Sequence, residues 1–409
     1  MNVLHVSAAF YPGFSHGGII PAFYELCRSL GHLGCDVKVL TTDASGNGTS
    51  MNVDCTREVE LAERVHVRYG KCLMARSVSL TLLRLLPRYV RWADVVHLSS
   101  VYNFPTIPTL ALCRLMGKPV IWSPHGALQR WKGSRRRGAK AVWEWLCRTI
   151  APTALCMHVT CEDEAAATSA RFPHAEVVTV PYCVPIPEPV SHVTDNTTLR
   201  LLFLGRLDRK KGIENLLAAC QKLKERGNFS WSLTIAGGGT PDYTETLRAK
   251  VHALAVSGAT EVGSESDVEG AQPRSVTEQV RMVGELTGRA KEQLFAEADI
   301  LIVPSFTENF GLVVPEALLQ SVPVIASTGT PWKRLEDIGC GLWVRNDPDS
   351  LADAIVRMSR LPLREMGRKG NEWAQKEFHP TEIARAMLAC YRKGAGRACC
   401  GRERAGAAL

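Results

Sequence analysis

The stretch that most constrains the fold begins Ala298-Asp299-Ile300-Leu301-Ile302-Val303-Pro304 and continues Ser305-Phe306-Thr307-Glu308-Asn309-Phe310-Gly311-Leu312-Val313-Val314-Pro315-Glu316-Ala317-Leu318. The first part is a short, uninterrupted apolar run, which suits a strand covered on both faces in a parallel sheet. Pro315 then sits where a first-turn proline belongs, and Ala317, Leu318 and Leu319 continue as a helix. A strand, a polar turn and a helix start make the repeating unit of a doubly wound α/β sheet.

The same unit recurs along the chain. Asn2–Ser7 is a strand, Ile19, Ile20, Phe23, Leu26 and Leu30 recur at helical spacing, and Asp36–Thr41 is a second strand. Further strands are expected at 65–69, 94–98, 119–122, 156–160 and 177–180, with a helix at 162–171 and a polar loop over 43–64. Residues 185–198 are Pro-rich and polar, as an interdomain linker should be. The strand pattern restarts at 199–204 and returns at 231–236, 281–286 and 322–327. The expected organisation is an N-terminal domain over 1–184, the linker, a C-terminal domain over 199–378, a terminal helix over 379–393 and a disordered tail over 394–409. Residues 257–279, rich in Gly, Ser and acids, read as a flexible insertion.

Three places carry chemistry. Glu308 falls in the turn and Glu316 in the first helical turn, with seven residues between them. A carboxylate accepts two hydrogen bonds from vicinal sugar hydroxyls, and amides around Asn309, Phe310, Gly311 and Leu312 at a helix start suit a phosphate. The plainer alternative is that Glu316 complements the helix dipole and Glu308 is solvated. Earlier, Gly205-Arg206-Leu207-Asp208-Arg209-Lys210-Lys211-Gly212 places two cations, Arg206 and Lys211, before a helix, a way to hold a diphosphate without a P-loop. The alternative there is a solvated basic turn. Finally, His125 lies just past the strand at 119–122, where open α/β sheets place ligands; most lone histidines are structural. Gly17-Gly18 precede the first helix, but no G-x-G-x-x-G follows the first strand, which disfavours a nicotinamide or flavin dinucleotide.

Together these residues resemble the retaining GT-B glycosyltransferases of family 4, also called group 1, and the resemblance extends over nearly the whole chain. It implies two Rossmann-like domains facing a cleft, a nucleotide-sugar donor and transfer of a hexosyl group with retention at the anomeric carbon. In such enzymes the first Glu of the pair holds the donor hexose and the second the ribose, so those roles fall to Glu308 and Glu316. Arg206 and Lys211 then grip the diphosphate leaving group, the Gly17-Gly18 pair lets donor phosphate or acceptor approach the backbone, and His125 faces the donor sugar and reaction centre. Two departures stand out. Many members read His-Asp where this chain has His125-Gly126, and Pro-Asn-Gly-Val-Asp where it has Pro181-Tyr182-Cys183-Val184-Pro185; no function is assigned to that turn. The family generally works without a metal, no metal-ligand cluster is evident, and no cofactor is expected.

Charge points to partners. Residues 66–148 hold fifteen Lys or Arg against two acids, Asp94 and Glu144, whereas the whole chain carries +8. Arg84, Arg88 and Arg91 share a helical face that Pro87 bends or interrupts, and Val142, Trp143, Trp145 and Leu146 form an apolar helix face after the basic run 131–137. Such a surface suits an anionic membrane and an acceptor that is a saccharide or a lipid-diphosphate-linked sugar. No nucleic-acid module is recognisable. Fourteen cysteines without a C-x-x-C pair, no basic leader and no apolar run of eighteen residues predict a reduced, cytoplasmic protein, with the inner face of the cytoplasmic membrane as its candidate surface. The expected role is cell-surface polysaccharide or lipopolysaccharide biosynthesis. The rivals are another GT-B activity such as an epimerase or a glycogen-type synthase, an inactive binding module, and a dinucleotide oxidoreductase.

Overall fold

The computed structural model describes residues 1–13, 18–46, 49–73, 78–129, 137–188, 198–227, 229–256 and 279–406. Gly17, the basic run at 130–136, most of the expected linker (189–197) and the insertion at 257–278 lie outside the described residues. The chain divides into two compact units, Met1–Pro185 with Phe378–Leu409, and Ile186–Glu377.

The first unit carries strands β1 (Asn2–Val6), β2 (Asp36–Thr42), β3 (Ala44–Gly46), β4 (Thr49–Ser50), β5 (Val59–Ala62), β6 (Val65–Gly70), β7 (Val95–Ser99), β8 (Val120–Ser123), β9 (Leu155–Val159) and β10 (Glu176–Thr179). Its helices are α1 (Ile19–His32), α2 (Leu80–Trp92), α3 (Thr106–Leu115), α4 (Arg137–Ile150) and α5 (Glu162–Ser169). The sheet order is β10-β9-β8-β7-β1-β2-β6-β5, parallel except that β5 runs antiparallel to β6 at the edge. Strand β5, with the small β3–β4 hairpin, falls where the sequence suggested only loop. Val59–Ala62 is short and only half-buried, so it lacks the continuous apolar signal of an interior strand.

The second unit carries β11 (Leu199–Leu204), β12 (Trp231–Ala236), β13 (Val280–Gly284), β14 (Ile300–Val303), β15 (Val324–Ser327) and β16 (Gly341–Val344), with α6 (Ile213–Arg226), α7 (Pro241–Val256), α8 (Arg289–Ala296), α9 (Val313–Leu319), α10 (Arg334–Ile338), α11 (Pro348–Met358) and α12 (Leu363–Glu377). Its order, β13-β12-β11-β14-β15-β16, is wholly parallel. Both sheets therefore reverse direction of growth beside their first strand, at β1/β7 and at β11/β14. Those are the switch points where doubly wound sheets open a crevice at the strand carboxyl ends. The expected α/β fold with two doubly wound domains is the one observed. Each unit has its own core: Leu4, Val96, Leu98 and Trp122 in the first, Leu201, Phe203, Ile300 and Ile302 in the second.

Helix α13 (Pro380–Gly406) belongs to the first unit and packs on α1. It continues past 394, where the sequence suggested a disordered tail; the Ala and Arg residues there are strong helix formers and outweigh the glycines. Helix α2 runs unbroken through Pro87, with Arg84, Arg88 and Arg91 all exposed. Helix α4 departs from its expected apolar face. Glu144 and Cys147 are its buried residues, while Val142 and Trp145 point outward. Buried Glu144 accepts a hydrogen bond from Tyr102 Oη and lies 3.7 Å from Arg171 Nε, so a paired carboxylate takes the inward position.

Candidate active site

In the second unit, the switch point brings the ends of β11 and β14 side by side. After β11, Asp208 caps a single 3-10 turn, Arg209–Lys211, by accepting from Lys210 N–H at 3.0 Å. Gly212 follows with φ +67°, and a Cβ there would lie 1.9 Å from the carbonyl oxygen of Pro304. Only glycine allows this approach, so residue 212 is what lets the basic turn lie against the chain leaving β14. The two loops are then joined: Phe306 N–H donates to Lys210 C=O at 2.7 Å.

This places Lys211 against Glu308, ninety-seven residues away in sequence, as a direct ion pair. Both side chains are largely covered, 17 and 14 % exposed. Glu308 is held from two further sides. Its N–H donates to Gly329 C=O at 2.9 Å, and its carboxylate accepts from Ser305 Oγ at 3.4 Å. Asn309, Phe310, Gly311 and Leu312 follow and lead into α9. Trp332 Nε1–H donates to the Phe310 carbonyl and its ring meets Phe310 edge-on at 5.3 Å, fixing the loop. Glu316 lies in the first turn of α9 and pairs with Lys291 Nζ on α8 at 2.6 Å. Arg206 is exposed and has no ion pair or hydrogen bond among the described residues. The unit thus brings Lys211 together with Glu308, leaves Arg206 free beside them in sequence, and gives Glu316 a lysine that sequence reasoning did not name.

In the first unit, a cavity of about 820 Å³ opens at the carboxyl ends of β1, β7 and β8. Ser7, Phe10, Phe23, Ser99, His125, Lys140 and Trp143 line it. Gly18 precedes Ile19, which lines the cavity, and has φ −61°, a conformation any residue can adopt. A need for positive φ is therefore not why glycine stands there. Lys140 Nζ sits 5.0 Å over the Tyr102 ring, within cation–π range.

His125 has φ +54°, a left-handed conformation unusual outside glycine and one that clusters at functional sites. Its Nδ1 lies 2.8 Å from Tyr182 Oη, and its ring meets Phe23 edge-on at 4.8 Å. Nε2 is buried with no hydrogen-bond partner among the described residues. Burial, reinforced by His158 and His5, holds the ring far below the ordinary histidine pKa, so it is neutral. The carboxylate nearest this turn is Glu164, fully buried; it accepts from Gly126 N–H, and from Thr160 N–H and Oγ1–H at 2.9 Å each. It fixes the backbone of the turn and does not reach the imidazole.

Behind His125 runs a chain of buried polar groups. His158 Nε2 lies 2.9 Å from Val180 C=O, which can only accept, so the proton is on Nε2. Its Nδ1 then accepts from Ser123 Oγ at 2.6 Å, Ser123 accepts from His97 Nε2 at 2.7 Å, and His97 Nδ1 accepts from Tyr391 Oη of α13 at 2.6 Å. Burial lowers the His158 pKa to about 4 and that of His5 to about 3, so the whole set stays neutral. Among the described residues no group of three or more His, Cys, Asp or Glu is arranged to hold a metal ion, and no helix is long and apolar enough to cross a membrane.

Two family models match, one to each half. Residues 17–183 match the glycosyl transferase 4-like domain and residues 198–360 match glycosyl transferases group 1. An uncharacterized glycosyltransferase of Methanocaldococcus jannaschii is 32 % identical over 161 residues, 39 % of this chain and 35 % of that protein, so this match spans about a third of the relative's length. The glycogen synthase of Mycobacterium tuberculosis is 26 % identical over 358 residues, 80 % of this chain and 78 % of that protein. Among solved structures, Anabaena HepE in complex with UDP and glucose superposes with a TM-score of 0.67 at 13 % identity, covering 96 % of this chain and all of that one. The fold is the GT-B fold.

Proposed function

This chain belongs to the glycosyl transferases group 1 family, and from that premise we propose that it moves a hexosyl group from a nucleotide-sugar donor to a glycan or lipid-linked saccharide with retention of configuration. The observation that carries the reading is the Lys211–Glu308 pair at the switch point of the second unit, with the exposed Arg206 five residues before Lys211 in the same turn. A cation and a carboxylate in contact match the two ends of a sugar diphosphate. Lys211 and Arg206 take the phosphate charge, and Glu308 accepts from the hexose hydroxyls. Glu316 accepts from the ribose hydroxyls. As the bond from the anomeric carbon to phosphate breaks, charge grows on the departing phosphate, and Lys211 and Arg206 stabilise it. The HepE complex with UDP and glucose supports a nucleotide sugar as donor. In the first unit, the cavity that His125 lines takes the acceptor.

Thermal-shift titration with UDP, GDP and ADP, and then with their common sugars, tests this. A ligand that binds only the folded chain raises Tm. A rise with one nucleotide, lost in Lys211→Met, is the expected result; no rise with any of them overturns the reading.

A second element of the proposal concerns the acceptor's location. Val142 and Trp145 of α4 and Leu80 of α2 are 65, 58 and 63 % exposed, and Arg84 and Arg88 of α2 are exposed as well. Large apolar side chains combined with arginines suit an anionic bilayer surface, where an acceptor for cell-surface polysaccharide or lipopolysaccharide would be presented. Co-sedimentation with anionic vesicles at low salt is expected, and its absence removes this element while leaving the transferase reading intact.

A further inference from the structure

Tyr182 stands in the turn to which the sequence assigned nothing, where the resembled family reads Asn-Gly. The turn follows β10 and is buried: Tyr182 is 4 % exposed, and Cys183 and Val184 are covered as well. Fifty-seven residues separate Tyr182 from His125, yet the phenol oxygen lies 2.8 Å from His125 Nδ1.

Which atom of a neutral imidazole carries the proton is set by the hydrogen bond the other nitrogen makes. A carboxylate at Nδ1 accepts only, so it places the proton on Nδ1 and leaves Nε2 as a base. Here the nearby carboxylate, Glu164, is engaged by Gly126 and Thr160 and leaves the ring alone. A phenol is different. Its O–H is a stronger donor than a neutral imidazole N–H, so the favoured arrangement has Tyr182 donating into Nδ1 and the ring proton on Nε2. Nε2 is the nitrogen without a partner among the described residues, and His125 lines the cavity at the carboxyl ends of β1, β7 and β8. The left-handed backbone at His125 and the Phe23 edge against its ring leave the ring little freedom to turn.

We propose that Tyr182 is the positioning residue of His125: its hydroxyl donates to Nδ1 and so presents Nε2–H to the bound ligand as a hydrogen-bond donor, the reverse of the polarity a carboxylate partner would impose. The proposal rests on the reading of His125 as a group at the reaction centre. It makes His125 a donor to a sugar or phosphate oxygen and not a general base. That agrees with a retaining transfer in which the leaving phosphate itself takes the acceptor's proton.

The test is ¹⁵N NMR of the full chain with labelled histidine at pH 7.5, the His125 signals being identified by their loss in His125→Gln. The expected spectrum has Nε2 protonated and Nδ1 bare, with Tyr182→Phe shifting His125 toward the other tautomer or a mixture. Where donor turnover is measurable, Tyr182→Phe lowers kcat about tenfold with the donor KM unchanged within twofold. A wild-type His125 protonated on Nδ1 overturns the proposal, as does a Tyr182→Phe variant with an unchanged tautomer. The wild-type spectrum decides even if that variant fails to fold. It also needs no activity, so a chain that binds no nucleotide sugar refutes the proposed function without touching this result.

Discussion

Gly212 and Gly227 flank helix α6 and offer an internal control for the steric argument that builds the site. Both are left-handed, at φ +67° and +62°. Around Gly227 a Cβ would meet nothing within 4 Å; at Gly212 it would meet the Pro304 carbonyl oxygen at 1.9 Å and Asn346 Nδ2 at 2.7 Å. Gly227→Ala therefore costs only the backbone preference, about 1 kcal/mol. Gly212→Ala adds a collision with backbone that neighbouring strands hold in place. Forced overpacking costs about 1–3 kcal/mol, so the total is roughly 3 kcal/mol. Urea denaturation of the two variants, compared at equal m, measures the difference directly, since both sites lie in one unit. Equal losses would refute the claim that residue 212 is glycine because two loops must touch. Gly212→Ala should also abolish nucleotide binding, while Gly227→Ala keeps it.

The remaining predictions follow from charge and burial. Histidines with folded pKa near 4 (His158) and near 3 (His5) are lowered from an unfolded value of 6.5, so the unfolded chain binds protons first and stability falls as pH drops through the window from 6.5 to about 3. At pH 5 each contributes about 2 kcal/mol of loss; denaturation midpoints at pH 7 and 5 should differ accordingly, and His158→Gln should remove one histidine's share of the slope. Arg206→Ala should leave stability within about 0.5 kcal/mol, because the side chain is exposed and unpaired among the described residues, yet weaken nucleoside-diphosphate binding by about tenfold or more in calorimetry. Lys211→Met and Glu308→Gln should each abolish transfer, and their double-mutant cycle should show a stability coupling of about 1 kcal/mol; zero coupling would mean the pair does not form in solution.

What was legible in the sequence is what is local. Ile300–Val303 is a four-residue apolar strand buried throughout, and Glu308 and Glu316 follow it in a turn and a first helical turn, as the pattern of residues implied. The strand–turn–helix repeat carried both sheets for the same reason. Partners across the fold were not legible. Lys291 and Glu316 lie twenty-five positions apart on separate helices, and Lys291 has no local feature to mark it. Tyr182 had one available signal, the departure from Asn-Gly, but a departure shows only that something differs. Its meaning came from the 2.8 Å contact with His125.

Helix α4 shows why even a strong periodic signal can point the wrong way. Val142, Trp143, Trp145 and Leu146 look like the inward face when hydrophobicity alone is weighed. The positions actually covered are Cys147 and Glu144, the latter because Tyr102 Oη and Arg171 supply the partners a buried carboxylate requires. Trp143 turns half inward, its Nε1–H donating to Val101 C=O at 2.8 Å. Val142 and Trp145 are left outside. Exposed large apolar residues are costly unless something covers them, and a contiguous set marks an interaction surface. The inversion of the helix therefore strengthens the membrane reading: had the tryptophans packed inward, α4 would offer a bilayer only its charges. Replacing Val142 and Trp145 by Gln should leave the chain folded, since more than half of each side chain is exposed, and should weaken vesicle binding at low salt. If binding persists undiminished, the arginines of α2 act alone and the outward turn of α4 has another cause.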